Sequence, residues 1–264
     1  MILDANAYIG NWPFRRMLYR TADEIMGLMD RVGIDRALVS YFDTIFLKEY
    51  SRGNRDLSEQ VAPHSNRLSP LACINPAFPG WERDLRIAVK DIGMGGIVVY
   101  PNYHAYDLKQ HGPTLAQAIR ETNPSLLVSL QVRLEDQRRA HWLCRVPDVP
   151  IDDVVEFLNT ARDLNVIIAN IKAPEVQTLA GKINLSTTNA FVEISGMESP
   201  NAPVEQVVGW IGADRVLFGT YMPLKYPETA LLKFRHSDLT SEQRDRILYR
   251  NLVDILNIPE QDRG

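Results

Sequence analysis

What this chain has little of narrows the field first. Of its 264 residues only two are cysteine. Cys73 and Cys144 are far apart in sequence and neither sits in a C-x-x-C pair, which argues against a disulfide scaffold and a cysteine-based metal centre. No apolar run approaches the roughly 20 residues of a membrane-spanning helix, and the mean hydropathy of -0.19 agrees. The 29 Lys and Arg are scattered and outnumbered by 33 Asp and Glu, for a formal net charge of -4. There is no basic footprint for nucleic acid, and a small-molecule partner fits better. Met1 leads straight into a strand with no basic, then apolar, leader, so a cytoplasmic protein is expected. A homo-oligomer stays open. Histidine is also scarce, with five in the chain, of which His64, His111 and His236 fall in segments read as helix or loop.

What is present is a large apolar fraction, 45%, in a regular arrangement. Eight short runs rich in Val, Ile, Leu and Ala alternate with helical segments, the pattern of parallel strands joined by crossover helices. The strands are read as Ile2 to Ala7, Arg36 to Tyr41, Leu68 to Ile74, Gly96 to Tyr100, Leu126 to Val132, Val166 to Asn170, Ala190 to Ile194 and Arg215 to Phe218. Near-continuous hydrophobicity suits strands buried on both faces. Thr21-Ala22-Asp23-Glu24 has the form of a capping box ahead of Ile25, Leu28, Met29 and Val32 at helical spacing. Asp152 and Asp153 open another amphipathic helix, and a last helix is predicted from Thr240 to about Leu256, ending before Pro259. A doubly wound open sheet would usually carry a G-x-G-x-x-G turn after its first strand, and none occurs. One α/β domain over 1–264, a single (β/α)8 TIM barrel, is therefore expected, with its site at the carboxyl ends of the strands.

Three stretches carry a resemblance. Ile2-Leu3-Asp4-Ala5-Asn6-Ala7-Tyr8 resembles the first strand of the amidohydrolase superfamily, where the pattern is Asp-Ala-His-x-His. Gly95-Gly96-Ile97-Val98-Val99-Tyr100-Pro101-Asn102-Tyr103-His104 is similar to its fourth strand and loop. Leu217-Phe218-Gly219-Thr220-Tyr221-Met222-Pro223 is similar to its eighth-strand signature, Leu-Phe-Gly-Thr/Ser-Asp-x-Pro. The chain thus looks like the amidohydrolase-related group, which includes decarboxylase-like members and hydrolases. The resemblance implies the barrel, and it implies a metal at the strand ends. Yet where the family supplies ligands, this chain aligns Asn6, Tyr8, Gln131, Asn170 and Tyr221, none of them a histidine or carboxylate. Neutral amides and phenols are poor donors for a divalent transition metal, so no metal and no cofactor are expected.

The expectation is accordingly a metal-independent hydrolase, or a C–C or C–O lyase, acting on a small oxygen-rich substrate, such as a lactone, an ester, or an anionic sugar or aromatic acid. Asn6, Gln131 and Asn170 would orient the substrate, Tyr8 and Tyr221 would donate hydrogen bonds to a developing oxyanion, and Arg133 would hold an anionic group. His104, the one attractive imidazole, or Glu193, isolated among apolar neighbours, would move protons, with Glu135 or Asp136 as alternatives. Trp12 and Phe14 beside Arg15 and Arg16 could stack on a planar anion or cover the barrel mouth. Each assignment has a plainer counterpart: the three amides satisfying one another, a loop of paired charges around Arg133, a structural His104, and a salt-bridged Glu193. Two rival functions follow: a non-catalytic barrel that binds a small ligand or protein partner, and a metal enzyme with ligands rearranged onto His104, His141 and nearby acids.

Overall fold

In the computed structural model, which describes residues 1–138, 140–198 and 203–258, all eight apolar runs become parallel strands. They are β1 (Leu3–Ile9), β2 (Arg36–Tyr41), β3 (Leu68–Cys73), β4 (Gly96–Val99), β5 (Leu127–Gln131), β6 (Val166–Ala169), β7 (Ala190–Glu193) and β8 (Val216–Leu217). The helices are α1 (Ala22–Val32), α2 (Phe42–Ile45), α3 (Tyr50–Val61), α4 (Trp81–Arg86), α5 (Leu108–Thr122), α6 (Ile151–Thr160), α7 (Ala173–Lys182), α8 (Pro203–Ile211), α9 (Pro227–Arg235), α10 (Ser241–Asp245) and α11 (Asn251–Leu256). Strand order is β1 to β8 in sequence. The ring closes where the Ala5 amide donates to the Phe218 carbonyl, Tyr8 to Met222, and Tyr221 back to Asn6. Eight parallel strands with helices between them make a (β/α)8 barrel.

Local signals explain the elements. Thr21 and Glu24 form the reciprocal capping box that starts α1, and Gly33 ends it in a left-handed conformation at φ 77°. Thr240 caps α10 in the same way. The last helical segment runs from Ser241 to Leu256 through a π-helical turn at Arg246–Arg250, and Pro259, its predicted stop, lies outside the described residues. β1 extends two residues beyond its predicted end because the Tyr8 amide bonds to β8's loop while Tyr8 and Ile9 pair with β2.

Alternation along each strand divides the core in two. Val39, Ile97, Val99, Val128, Leu130, Ile168, Val192 and Phe218 pack outward against the helices. Leu38, Leu71, Val98, Leu127, Ile167 and Leu217 fill the lumen. The same parity carries Gln131 inward behind Leu127 and Ser129, and Glu193 inward behind Phe191. β1 departs from strict parity through a register shift between Asp4 and Ala7. Among the described residues, no helix is long and apolar enough to cross a membrane.

Candidate functional site

At the carboxyl ends of the strands the lumen is polar, and its groups answer one another. Gln131 Nε2 donates to Asn6 Oδ1 at 3.3 Å, Asn170 Nδ2 donates to Gln131 Oε1 at 3.0 Å, and Asn6 Nδ2 donates to Glu193 Oε1 at 3.3 Å. Ser195 joins them: its hydroxyl is 2.8 Å from Asn170 Oδ1 and 2.7 Å from Glu193 Oε1. Glu193 also accepts from the backbone amides of Asn170 and Ser195. All five side chains are buried. Three of the residues expected to orient substrate thus meet in space, and Glu193 meets them. The three amides and Glu193 form one hydrogen-bonded network.

Gly219 makes this geometry possible. A Cβ there would lie 2.2 Å from Glu193 Oε2, so the glycine of the β8 stretch leaves room for the buried carboxylate. The next residue of that stretch has its own partner. The Thr220 amide donates to Asp4 Oδ1 at 3.0 Å, and its hydroxyl donates to Asp4 Oδ2. Asp4 also accepts from the Asn6 amide at 2.9 Å. Burial pushes the Asp4 carboxyl up to about 7 against these hydrogen bonds, with nearby Glu193 adding to the rise. Asp4, Ser195 and Thr220 were not among the expected site residues. A charged residue inside an otherwise uncharged, buried strand was the available signal for Asp4.

Other residues expected at the site have protein partners. Tyr221 adopts φ 61° and its hydroxyl donates to the Leu134 carbonyl at 2.7 Å, so its proton is already placed. Tyr8 stacks on Phe42 with centroids 4.2 Å apart, and Tyr100's hydroxyl is 3.4 Å from its own. Burial holds the Tyr8, Tyr100 and Tyr221 phenols well above their ordinary values. Arg133, expected to hold a substrate anion, is buried and bonded to Asp148 at 2.9 Å, to Glu175 and to the Asn170 carbonyl. Its guanidinium ties β5 to the loop after β6. Asp136 pairs with Arg138.

His104 is enclosed as well. Its ring packs edge-on to Tyr50 and Tyr100, with Nε2 3.2 Å from the Ile45 carbonyl. Burial lowers it to about 4, so it is neutral at pH 7 and poorly matched to proton transfer there. Glu135 accepts the Trp12 indole proton at 2.7 Å. Trp12 is 2% exposed and packs against Phe14, Phe42, Phe46 and Tyr103. It forms a lid over the lumen.

The donor set does not fit a divalent transition metal. Among the described residues no group of three or more His, Cys, Asp or Glu side chains comes together as ligands. The two carboxyl groups near the ring, Asp4 and Glu193, have their oxygens engaged by protein donors. His141 lies instead in the exposed turn at residues 141–144, which removes the rearranged set with His104.

The loop after β1 lines a separate, open cleft. Residues 11–18 and Arg20 line a cleft of about 630 Å³. Phe14, Arg15, Arg16 and Arg20 are exposed there, and residues 10–21 contain no acidic residue. Arg15 donates to the Leu224 carbonyl and so ties this loop to the one after β8.

A scan against protein-family models gave no match, and neither did a search of curated proteins. Solved structures do match. 2,6-Dihydroxybenzoate decarboxylase from Rhizobium superposes with a TM-score of 0.71 at 17% identity, over 97% of this chain and 98% of that one. 5-Carboxyvanillate decarboxylase from Novosphingobium aromaticivorans, complexed with manganese and 4-hydroxy-3-methoxy-5-nitrobenzoic acid, gives 0.76 at 11% over 98% and 96%. An amidohydrolase II protein gives 0.73 at 15% over 97% and 100%. The chain therefore shares the (β/α)8 fold of these structures. At these identities the likeness is one of architecture.

Proposed function

We propose that this chain binds a small, oxygen-rich anionic ligand, of the aromatic-acid or sugar-acid class, at the arginine-lined cleft above the barrel mouth, without a divalent metal. The observation that carries this is that Arg15, Arg16 and Arg20 line one cleft with the exposed Phe14, in a segment free of acids. Guanidinium groups pair with carboxylates, and aromatic rings stack on planar ligands. The 2,6-dihydroxybenzoate complex of one decarboxylase with this fold makes that compound a suitable probe. Binding is preferred over turnover because the lumen groups expected to do chemistry are partnered by protein: Tyr221 with Leu134, Arg133 with Asp148 and Glu175, and the amides with each other.

Calorimetric titration of the purified chain with 2,6-dihydroxybenzoate and benzoate, with and without chelator, tests this. Saturable, chelator-insensitive binding that weakens at least about tenfold in Arg16→Gln is expected, on the scale of one lost charge-assisted pair. No saturable binding to any aromatic or sugar acid would overturn it, as would binding that disappears with chelation.

A second reading, metal-independent hydrolysis or C–C or C–O cleavage, is favoured by one observation: Asp4, raised to about 7, lies buried near a second carboxyl group, Glu193. A buried carboxyl group raised toward neutrality is suitable material for acid–base chemistry. It requires the Trp12 lid to open. Product detection with the same acids, lactones and esters separates the two readings: turnover lost in Glu193→Gln with the fold intact supports catalysis.

A further inference from the structure

Exposed apolar side chains are unevenly spread over this molecule. Among the described residues nine large ones are exposed; Met1, at the start of the chain, and Leu232, on α9, stand apart from the rest. The other seven lie in segments that leave the carboxyl end of a strand. Phe14 and Leu18 follow β1, Phe46 and Leu47 follow β2, Trp142 and Leu143 follow β5, and Tyr226 follows β8, each 37% to 71% exposed. In a (β/α)8 barrel those segments share one end, so the seven gather on the mouth face. Contacts tie the segments together there. The Phe14 and Phe46 rings lie 6.0 Å apart, Leu18 and Tyr226 line one small pocket, and the Trp12 indole reaches across to Glu135 in the β5 loop.

The charge of these segments is one-sided. Residues 10–21, 42–49, 132–150 and 218–226 together hold nine Lys and Arg against five Asp and Glu, in a chain of formal net charge -4. Four of the five acids, Asp43, Glu135, Asp136 and Asp148, are half-buried and accept hydrogen bonds from Asn11, Trp12, Arg138 and Arg133. Glu49 is the exposed acid among the described residues of these segments, whereas Arg15, Arg16, Arg20, Lys48, Arg138 and Arg145 are all exposed.

We infer that the mouth face is a docking surface for an anionic lipid bilayer. Exposed apolar patches rimmed by polar groups mark interaction sites. Aromatic rings and leucines enter the boundary between headgroups and acyl chains, while long basic side chains reach back to the phosphates. The observations favour a bilayer over other partners. A two-fold dimer through this face would set the basic segments against themselves, and a nucleic-acid backbone would leave Leu18, Leu47 and Leu143 in water. Trp142 and Leu143 take no part in the arginine-lined cleft, and β5 stands opposite β1 in the ring, so the inference does not rest on the binding of a small acid.

Flotation of the full chain with vesicles of phosphatidylcholine alone, and of phosphatidylcholine mixed with phosphatidylserine, tests the surface. Binding to the mixed vesicles that falls at high salt is expected, with little binding to phosphatidylcholine alone. The double variant Trp142→Ala, Leu143→Ala should weaken it at least about tenfold by withdrawing a ring and a leucine from the apolar phase. Arg145→Gln should weaken it about fivefold. Affinity for 2,6-dihydroxybenzoate should be unchanged in both variants. Vesicle binding by a chain that ignores 2,6-dihydroxybenzoate would overturn the cleft reading and support this one. Failure to float with either vesicle would overturn the surface, as would full binding by the double variant. Equal binding to both vesicles would overturn the anionic lipid, and a dimer in solution that the double variant abolishes would assign the face to a second copy of the chain instead.

Discussion

Asp4 on β1 and Thr220 after β8 join the first and last strands through their side chains: Thr220 gives both its amide and its hydroxyl protons to the two oxygens of one buried carboxyl group. This bond sits at the seam where the barrel closes, alongside the backbone bonds of Ala5, Tyr8 and Tyr221.

The seam makes stability depend on pH. The folded Asp4 carboxyl is raised to about 7, well above its ordinary value of 3.8, so the unfolded chain loses its proton at lower pH than the folded one. Its stabilising contribution is therefore fully present below the unfolded value and is lost as pH rises toward 7, with a slope of up to about 1.4 kcal/mol per unit. Urea midpoints measured from pH 4 to 8 should fall across that window in the wild type and fall less in Asp4→Asn. Parallel curves for the two proteins would show that Asp4 is not the titrating group.

His104 should be silent near neutrality. Buried between Tyr50 and Tyr100 and lowered to about 4, it should show no titration of its imidazole resonances between pH 5.5 and 8. A transition near 6.5, the ordinary histidine value, would contradict the burial described.

Arg133 should behave as a structural clamp. Removing it in Arg133→Ala leaves Asp148, Glu175 and the Asn170 carbonyl without their cation, and a buried pair broken on one side costs about 3–5 kcal/mol. With both carboxylates about a quarter exposed, the lower end is expected by urea denaturation. Anion affinity at the mouth cleft should not change in the folded variant. A large loss of affinity with little loss of stability would return Arg133 to a ligand role.

Asn170 serves through its backbone as well as its amide. It stands at φ 58°, a left-handed conformation that asparagine and glycine tolerate better than other residues. Asn170→Ala and Asn170→Gly both strand Gln131 Oε1, at roughly 1–3 kcal/mol. The alanine variant adds backbone strain of about 1 kcal/mol. Thermal or urea denaturation should rank wild type above Asn170→Gly and Asn170→Ala last. Equal stability of the two variants would remove the conformational argument.

Much of the barrel was legible in the chain itself. Apolar runs of strand length and capped amphipathic helices between them are local properties that survive into the structure because the core demands them at every turn. The glycine before Thr220 was visible as part of a motif, though its purpose was not: only the fold brings β7 against β8 so that Glu193 fills the space a Cβ would take.

Partnership was what only tertiary structure could decide. Sequence supplied polar residues at the strand ends, and those residue types serve equally well for holding a ligand or for holding each other. Which of the two obtains depends on distances between residues 125 and 187 positions apart, as for Asn6 with Gln131 and Glu193. The same holds for Arg133, whose partners come from two other segments, and for Trp12, which becomes a lid only once Phe42, Phe46 and Tyr103 are packed beside it. Composition and periodicity determined the barrel, since burial of apolar faces is a local demand summed along the chain. Whether a buried polar group is free to act is a property of its neighbours in space.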